Sequence, residues 1–175
     1  MRASRTAAGV ARLAMVLALA IAAACGGDDP KGTSLNGVPF TASDGRQVTL
    51  SDLGGTPLVV NLWATWCGPC LKEMPAFDQV AGEQGDRVHL IGINVADSPA
   101  DAAAFAADLG VSYDQFTDPD GALSTALSVT GLPATAFIDA DGTLIEVHQG
   151  AYTAQELTAA IDRHFPTSGS EGTQP

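Results

Sequence analysis

Trp66-Cys67-Gly68-Pro69-Cys70 stands between the apolar run Leu58-Val59-Val60-Asn61-Leu62-Trp63-Ala64 and an amphipathic run that begins Leu71-Lys72-Glu73-Met74. The first run is continuously apolar, as in a strand covered on both faces. In the second, Leu71, Met74, Phe77, Val80 and Ala81 recur at helical spacing to about Gly82, and Pro75 within it predicts a kink. The two cysteines therefore sit at a strand-to-helix turn. Three residues apart, their thiols can close a disulfide and reopen it. Cys67 falls where unpaired helix N–H groups and the positive end of the helix dipole favour a thiolate, the species that exchanges disulfides. The stretch predicts thiol–disulfide chemistry.

The chain has 175 residues, room for one domain with a sizeable core. Its formal charge is −12, and Arg2, Arg5 and Arg12 lie in a segment expected to be removed, leaving 5 basic against 20 acidic residues, or −15. Such a surface repels phosphate backbones, so nucleic acid is not an expected partner.

Met1 to Arg12 is basic without an acid, and Leu13 to Ala24 is unbroken apolar sequence. That run is shorter than the roughly 18 residues of a spanning helix and suits a signal peptide. It ends Ala22-Ala23-Ala24-Cys25, which resembles a bacterial lipobox whose cysteine is lipidated and becomes the mature N-terminus. Ala22 departs from that pattern, where a large aliphatic is usual. Plain cleavage at the Ala-x-Ala is the alternative, and it leaves an odd third cysteine in an exported protein unexplained. The expected location is outside the cytoplasm, anchored to the bacterial cell membrane, or secreted if Cys25 is not lipidated.

Residues 26–34 (GGDDPKGTS) are polar and Gly-rich, as in a flexible tether, and 166–175 as in a disordered tail. Between them, Val38 to Leu50 suggests a hairpin turning at Asp44-Gly45, and Ser51-Asp52-Leu53 a short helical turn. Val88 to Val95 suggests a second buried strand. Asp97-Ser98-Pro99 opens a helix with Ala102, Ala103, Phe105, Ala106 and Leu109 as its apolar stripe, closed by Gly110. A short helix follows from Asp118-Pro119 to Leu127. Ala134–Asp139 and Thr143–Gln149 form two strands, and Thr153-Ala154-Gln155-Glu156 is a capping box for the last helix. The order is a hairpin, β-α-β-α, a short helix, then β-β-α, which predicts an α/β fold with a mixed sheet and helices on both faces.

The segment VVNLWATWCGPCLKEMPAF, followed by TGLPATAFIDADGTL, resembles the thioredoxin superfamily, and within it the TlpA/ResA-like exported thiol–disulfide oxidoreductases, which include the tethered proteins of cytochrome c maturation. The resemblance covers about Leu35 to Phe165 and implies a thioredoxin-like domain over 35–165 that needs no cofactor. It implies Cys67 as nucleophile and Cys70, one turn inward, as the thiol that resolves the mixed disulfide. Gly68-Pro69 matches the thioredoxin dipeptide, and a proline in the first turn forfeits no hydrogen bond. By resemblance that dipeptide points to a reducing potential, about −270 mV in thioredoxin. Pro133 matches the superfamily's cis-proline, which would expose the backbone of Leu132 for strand-like pairing with a substrate chain; a trans turn proline is the plainer alternative. Trp66 is expected to cover the disulfide, with Trp63 near it, although core packing explains either.

Thioredoxin carries a buried acid six residues before its first cysteine, and Asn61 occupies that place here. The TlpA/ResA-like proteins resemble this chain in having a glutamate three residues after the second cysteine, here Glu73. One turn from Cys70, its carboxylate is placed to take that thiol's proton. A solvated helix glutamate beside Lys72 is the alternative.

Other functions fit less well. A structural disulfide over so short a loop would constrain little, and His89, His148 and His164 show no metal-ligand spacing. A peroxiredoxin needs threonine three residues before its cysteine, where this chain has Ala64. A copper-binding relative would have wider cysteine spacing and a placed histidine. A disulfide-forming oxidase of the same fold stays open. The expected partners are exported proteins carrying disulfides or thiols, and a membrane electron-transfer protein.

If Cys25 is lipidated, the mature protein partitions with membranes, because two or more acyl chains at about 0.8 kcal/mol per buried CH₂ anchor it stably. Cys25→Ala then releases it or leaves the precursor uncleaved, as membrane fractionation would show. Wild-type protein found only in the culture fluid would refute the anchor.

Overall fold

The structure is a computed structural model that describes residues 31–167. The expected signal segment with Cys25, residues 26–30 of the tether and 168–175 of the tail lie outside the described residues.

Strand β3 (Leu58–Trp63) is buried along its whole length, as its apolar run requires. Alternate residues face opposite ways. Leu58, Val60 and Leu62 enter one core with Ile91 and Ile93 of β4 (His89–Val95), whereas Val59 joins Phe77 and Val80 of helix α1 (Gly68–Gln84) in another. Trp63 enters a third cluster with Cys67, Cys70, Met74, and Ala102 and Ala106 of α2 (Pro99–Leu109).

The chain runs β3-α1-β4-α2-β5, and β4 pairs in parallel with both β3 and β5 (Asp114–Asp118). Two crossovers of one hand in one direction keep α1 and α2 on the same face. Helix α4 (Ala154–His164) joins α1 there through Leu157, Ala160 and Ile161. Short helix α3 (Ala122–Ala126) lies on the other face, where Leu123 and Leu127 pack in the first core. On the far side of β3, β6 (Ala134–Ile138) and β7 (Leu144–Gln149) complete a seven-stranded sheet, in the order β2-β1-β5-β4-β3-β6-β7. The first two strands, β1 (Phe40–Ala42) and β2 (Gln47–Val48), form the expected hairpin, with Gly45 at φ 85° in its turn.

Several local signals act as expected. Ser98 caps α2 through the Asp101 N–H, and Thr153 and Glu156 cap α4 reciprocally. Helix α1 continues through Pro75, although that ring leaves the Leu71 carbonyl without its helical donor. Ala103 is exposed, which narrows the α2 stripe.

Strand β5 was not anticipated. Asp-Gln-Phe-Thr-Asp has neither a continuous apolar run nor clean alternation, and its pairing comes from neighbours on both sides, β4 and β1. Its terminal Asp118 is buried and accepts from the N–H groups of Leu123 and Ser124 and from the Ser124 hydroxyl, tying the strand to α3.

Chain contacts begin before Leu35. Gly32 N–H donates to the Leu144 carbonyl, Leu144 N–H donates to the Thr33 carbonyl, and Ser34 bridges Thr143. Residues 32–34 therefore lie against the β6–β7 turn rather than hanging free. Among the described residues no helix is long and apolar enough to cross a membrane.

Candidate active site

β3 ends at Trp63, and a short loop delivers Cys67 as the N-cap of α1, with Gly68 and Pro69 as the first helical residues. Cys67 and Cys70 are joined in a disulfide with Cα atoms 5.3 Å apart, and Cys67 Sγ accepts from the Cys70 N–H at 3.3 Å. Cys70 is fully buried, whereas Cys67 keeps 4% of its surface exposed. Of the two, Cys67 is the one that reaches the surface.

The loop is pinned from β4. Asp97 accepts from the Thr65 N–H at 2.7 Å, the Thr65 hydroxyl at 2.8 Å and the Asn94 amide at 2.8 Å. Partial burial alone would push the Asp97 carboxyl up, but these donors together hold it below the usual carboxylate range. Beneath the loop, the Trp63 indole N–H donates to Gln115 Oε1 at 3.0 Å. The Gln115 side chain lies over Gly92, where any Cβ would collide with it.

Glu73 is 2% exposed, on the inward face of α1 one turn after Cys70. Its Oε1 accepts from the Asn61 amide at 2.8 Å and its Oε2 from the Tyr152 N–H at 2.9 Å. Burial pushes its carboxyl up, the Tyr152 N–H and Asn61 amide, which favour the charged form, offset only part of that, and the net value is about 7. The solvated-glutamate alternative is therefore excluded. Asn61 and Glu73, weighed separately in the sequence as competing homes for an acid, are hydrogen-bonded partners.

The Leu132–Pro133 peptide is cis, and Leu132 packs against the cluster that holds both cysteines. The Pro133 carbonyl accepts from the Gly150 N–H at 2.9 Å, joining the start of β6 to the end of β7. For Trp66 the core-packing alternative fails, because the residue is largely exposed. Its side chain is 67% exposed and lines a groove with Val95, Ala96, Pro119, Gly131 and Leu132, while Trp63, Met74 and Ala102 cover the disulfide from within.

Sequence reasoning missed Tyr113, Tyr152, Asp97 and Gln115. Asp97 read only as part of a helix start and Tyr152 only as the residue before a capping box, and the sequence separations of the contacts range from 32 to 79 residues. The one usable signal was a polar Asn61 inside an otherwise apolar buried strand, which demands a partner.

A profile of the Redoxin family matches residues 29–161, which include every element of this site. The chain belongs to the Redoxin family. ResA of Geobacillus thermodenitrificans, a thiol–disulfide oxidoreductase, is 30% identical over 132 residues, covering 73% of this chain and 75% of that one. Among solved structures, DsbF of MTB, described in mixed oxidised and reduced forms, has 30% identity and a TM-score of 0.65 over 71% of this chain and 92% of that one. The exposed lipoprotein thioredoxin Etrx1 of Streptococcus pneumoniae has 27% identity and a TM-score of 0.60, over 71% and 97%. Across four curated relatives the match spans 61% to 71% of their length. This Redoxin-family protein is a thiol–disulfide oxidoreductase of thioredoxin fold.

The acid at Glu73 gives the oxidised protein a pH signature. Its carboxyl has an ordinary value of 4.5 and a folded value of about 7. Below 4.5 both states hold the proton; between the two values the unfolded chain releases it first, so stability falls as pH rises, and it levels off above 7. Glu73→Gln removes that slope. Relative to wild type, its unfolding free energy rises by about 3 kcal/mol between pH 4 and pH 8, at 1.36 kcal/mol per unit. Urea unfolding of the oxidised forms checks this, and parallel curves would mean that Glu73 does not titrate in that window.

Proposed function

We propose that the protein is an extracytoplasmic, lipid-anchored reductase that opens disulfides of exported proteins and is recharged by a membrane electron donor. The observation that carries this reading is the buried carboxyl of Glu73, one turn from a buried Cys70, behind a Cys67 that alone meets solvent.

In the reduced enzyme the Cys67 thiolate attacks a substrate disulfide, forming a mixed disulfide and releasing one substrate thiolate. Cys70 then transfers its proton to Glu73 and attacks Cys67 Sγ. The internal disulfide closes and the second substrate sulfur leaves. Two electrons have passed from the enzyme dithiol to the substrate. A membrane donor returns them, and Glu73 gives its proton back to Cys70. The exposed Trp66 and the groove it shares with Leu132 are the surface we assign to the substrate chain, next to Pro133 at the start of β6. Gly68-Pro69 and the nearby carboxyl both favour the reduced dithiol, because a carboxylate disfavours a second negative charge at Cys70. Two features support the anchor: the Ala22-Ala23-Ala24-Cys25 sequence and the exposed-lipoprotein description of the pneumococcal neighbour. The likeness to ResA, together with the resemblance that carries cytochrome c maturation, makes that process the pathway to test first.

Cys67→Ser abolishes exchange. Cys70→Ser leaves attack intact but resolution blocked, so substrate accumulates as a mixed disulfide on non-reducing gels; equal residual turnover in the two variants would reverse the role assignment.

The Cys67–Cys70 potential, measured against a glutathione couple, is expected nearer thioredoxin's value of about −270 mV than the roughly −120 mV of a strongly oxidising exported protein. A value at the oxidising end, with rapid oxidation of reduced substrate, would make the protein a disulfide-forming oxidase.

A further inference from the structure

Glu73's two donors belong to a longer circuit. Asn61 lies in the middle of β3 with no exposed surface, and its amide spends its two ends on different partners: Nδ2 donates to Glu73 Oε1 at 2.8 Å, and Oδ1 accepts from the Tyr113 hydroxyl at 3.0 Å. Tyr113, just ahead of β5, is held in turn. Asp78 accepts from its N–H at 3.1 Å and from the Ser112 hydroxyl at 2.9 Å, and Gln115 Nε2 donates to its carbonyl at 3.1 Å. Asp78 lies on α1, the helix that carries Glu73. The circuit therefore starts and ends on one rigid element.

An asparagine amide can face either way, and the choice matters to a neighbouring acid. With Nδ2 toward Glu73 the amide stabilises the carboxylate. Turned over, it would present Oδ1 and accept a hydrogen bond from the protonated acid instead. A Tyr113 hydroxyl donating to Oδ1 favours the first orientation. In the second, Nδ2 would point at the tyrosine oxygen and the hydroxyl proton would need another acceptor.

We propose that Tyr113 is a positioning residue for the proton transfer: by donating to Asn61 Oδ1 it turns the Asn61 amide toward Glu73, and so sets how readily that carboxyl takes up and releases the proton of Cys70. This rests on Glu73 being the proton acceptor for Cys70. In the step itself, the Cys70 thiol gives a proton to the Glu73 carboxylate as its sulfur bonds to Cys67 and the substrate sulfur leaves with the bonding pair.

The other groups on this side are Cys70 on its own helix, with Asp78 further along, the Tyr113 hydroxyl, and Tyr152 from the loop before α4; Lys72, next in sequence, is exposed. His148 of β7 stacks on Tyr152 with ring centroids 4.2 Å apart. Apart from the Tyr113 hydroxyl, none of them is a second hydrogen-bond partner of the Asn61 amide among the described contacts.

The test titrates Glu73 directly. The chain has five glutamates (73, 83, 146, 156 and 171), so ¹³C labelling at their carboxyls gives few resonances, and Glu73→Gln identifies the one that matters. In the oxidised full-length protein, Tyr113→Phe is expected to raise the Glu73 midpoint by roughly one pH unit, the scale of one lost charge-assisted hydrogen bond. Asn61→Ala should raise it too, and Tyr113→Phe added to Asn61→Ala should raise it no further, since Tyr113 acts through Asn61. A merely structural role for the hydroxyl would lower the unfolding midpoint and leave the titration in place. An unmoved midpoint in Tyr113→Phe, or an equal shift on the Asn61→Ala background, overturns the proposal. The same variants assayed for closure of a preformed mixed disulfide separate the two layers. The rate profile is expected to move along the pH axis with the Glu73 midpoint. A midpoint that moves while the rate profile stays put would uphold Tyr113's control of the carboxyl and refute Glu73 as acceptor for Cys70.

Discussion

A strand covered on both faces offers no wet side for a polar side chain, and β3 carries one at its centre. Asn61 must be satisfied entirely by its surroundings, since an unpaired buried amide costs a few kcal/mol. Its neighbours in register, Gly92 of β4 and Thr135 of β6, leave that task to Glu73 on α1 and to Tyr113. The constraint works in both directions. Glu73 is tolerable inside because two donors meet it, and α1 is held in a fixed rotation over the sheet because those donors are rigid. Cys70, one turn from Glu73, inherits that placement. Cys67 inherits the position of the helix start.

The apolar strand, the CxxC turn and the helix caps were legible because each is written in consecutive residues: the Thr153–Glu156 box, Ser98 ahead of Pro99, and Gly110 in the left-handed region at the end of α2. Strand β5 was not, because its ladder depends on partners on either side rather than on its own pattern. For Trp66 and Trp63 the sequence left core packing open for both rings, and only Trp63 takes it. The residue types at the site could be read in advance. Their pairings could not, since Tyr152 lies 79 residues from Glu73 and Tyr113 lies 52 from Asn61.

The electrostatics divide the same way. Most of the acid on this chain sits on the surface, where water screens it and it chiefly keeps the protein soluble. Asp97 and Asp118 are different, each satisfied by several donors and each fixing a loop: Asp97 the approach to Cys67, Asp118 the entry to α3. Among the described carboxyls Glu73 is the one whose burial outweighs its donors and lifts it to about 7, which suits it to moving a proton near neutral pH.

The attachment of Gly32 and Ser34 has a geometric consequence. They meet the chain at Thr143 and Leu144, where β6 has ended and β7 begins, whereas Pro133 and the disulfide lie at the other end of β6. Five residues of strand, roughly 17 Å, separate the two poles. If Cys25 is held at a bilayer, the seven steps to Gly32 allow a leash of at most about 25 Å. The domain then rides close to the lipid with its mooring at one pole and its disulfide at the other, turned outward to passing substrates. If, as proposed, its electron donor sits in that bilayer, the domain would have to roll over on its leash to be recharged, and a stiffer or shorter leash would starve the reductive half of the cycle before it touched the half that meets substrate.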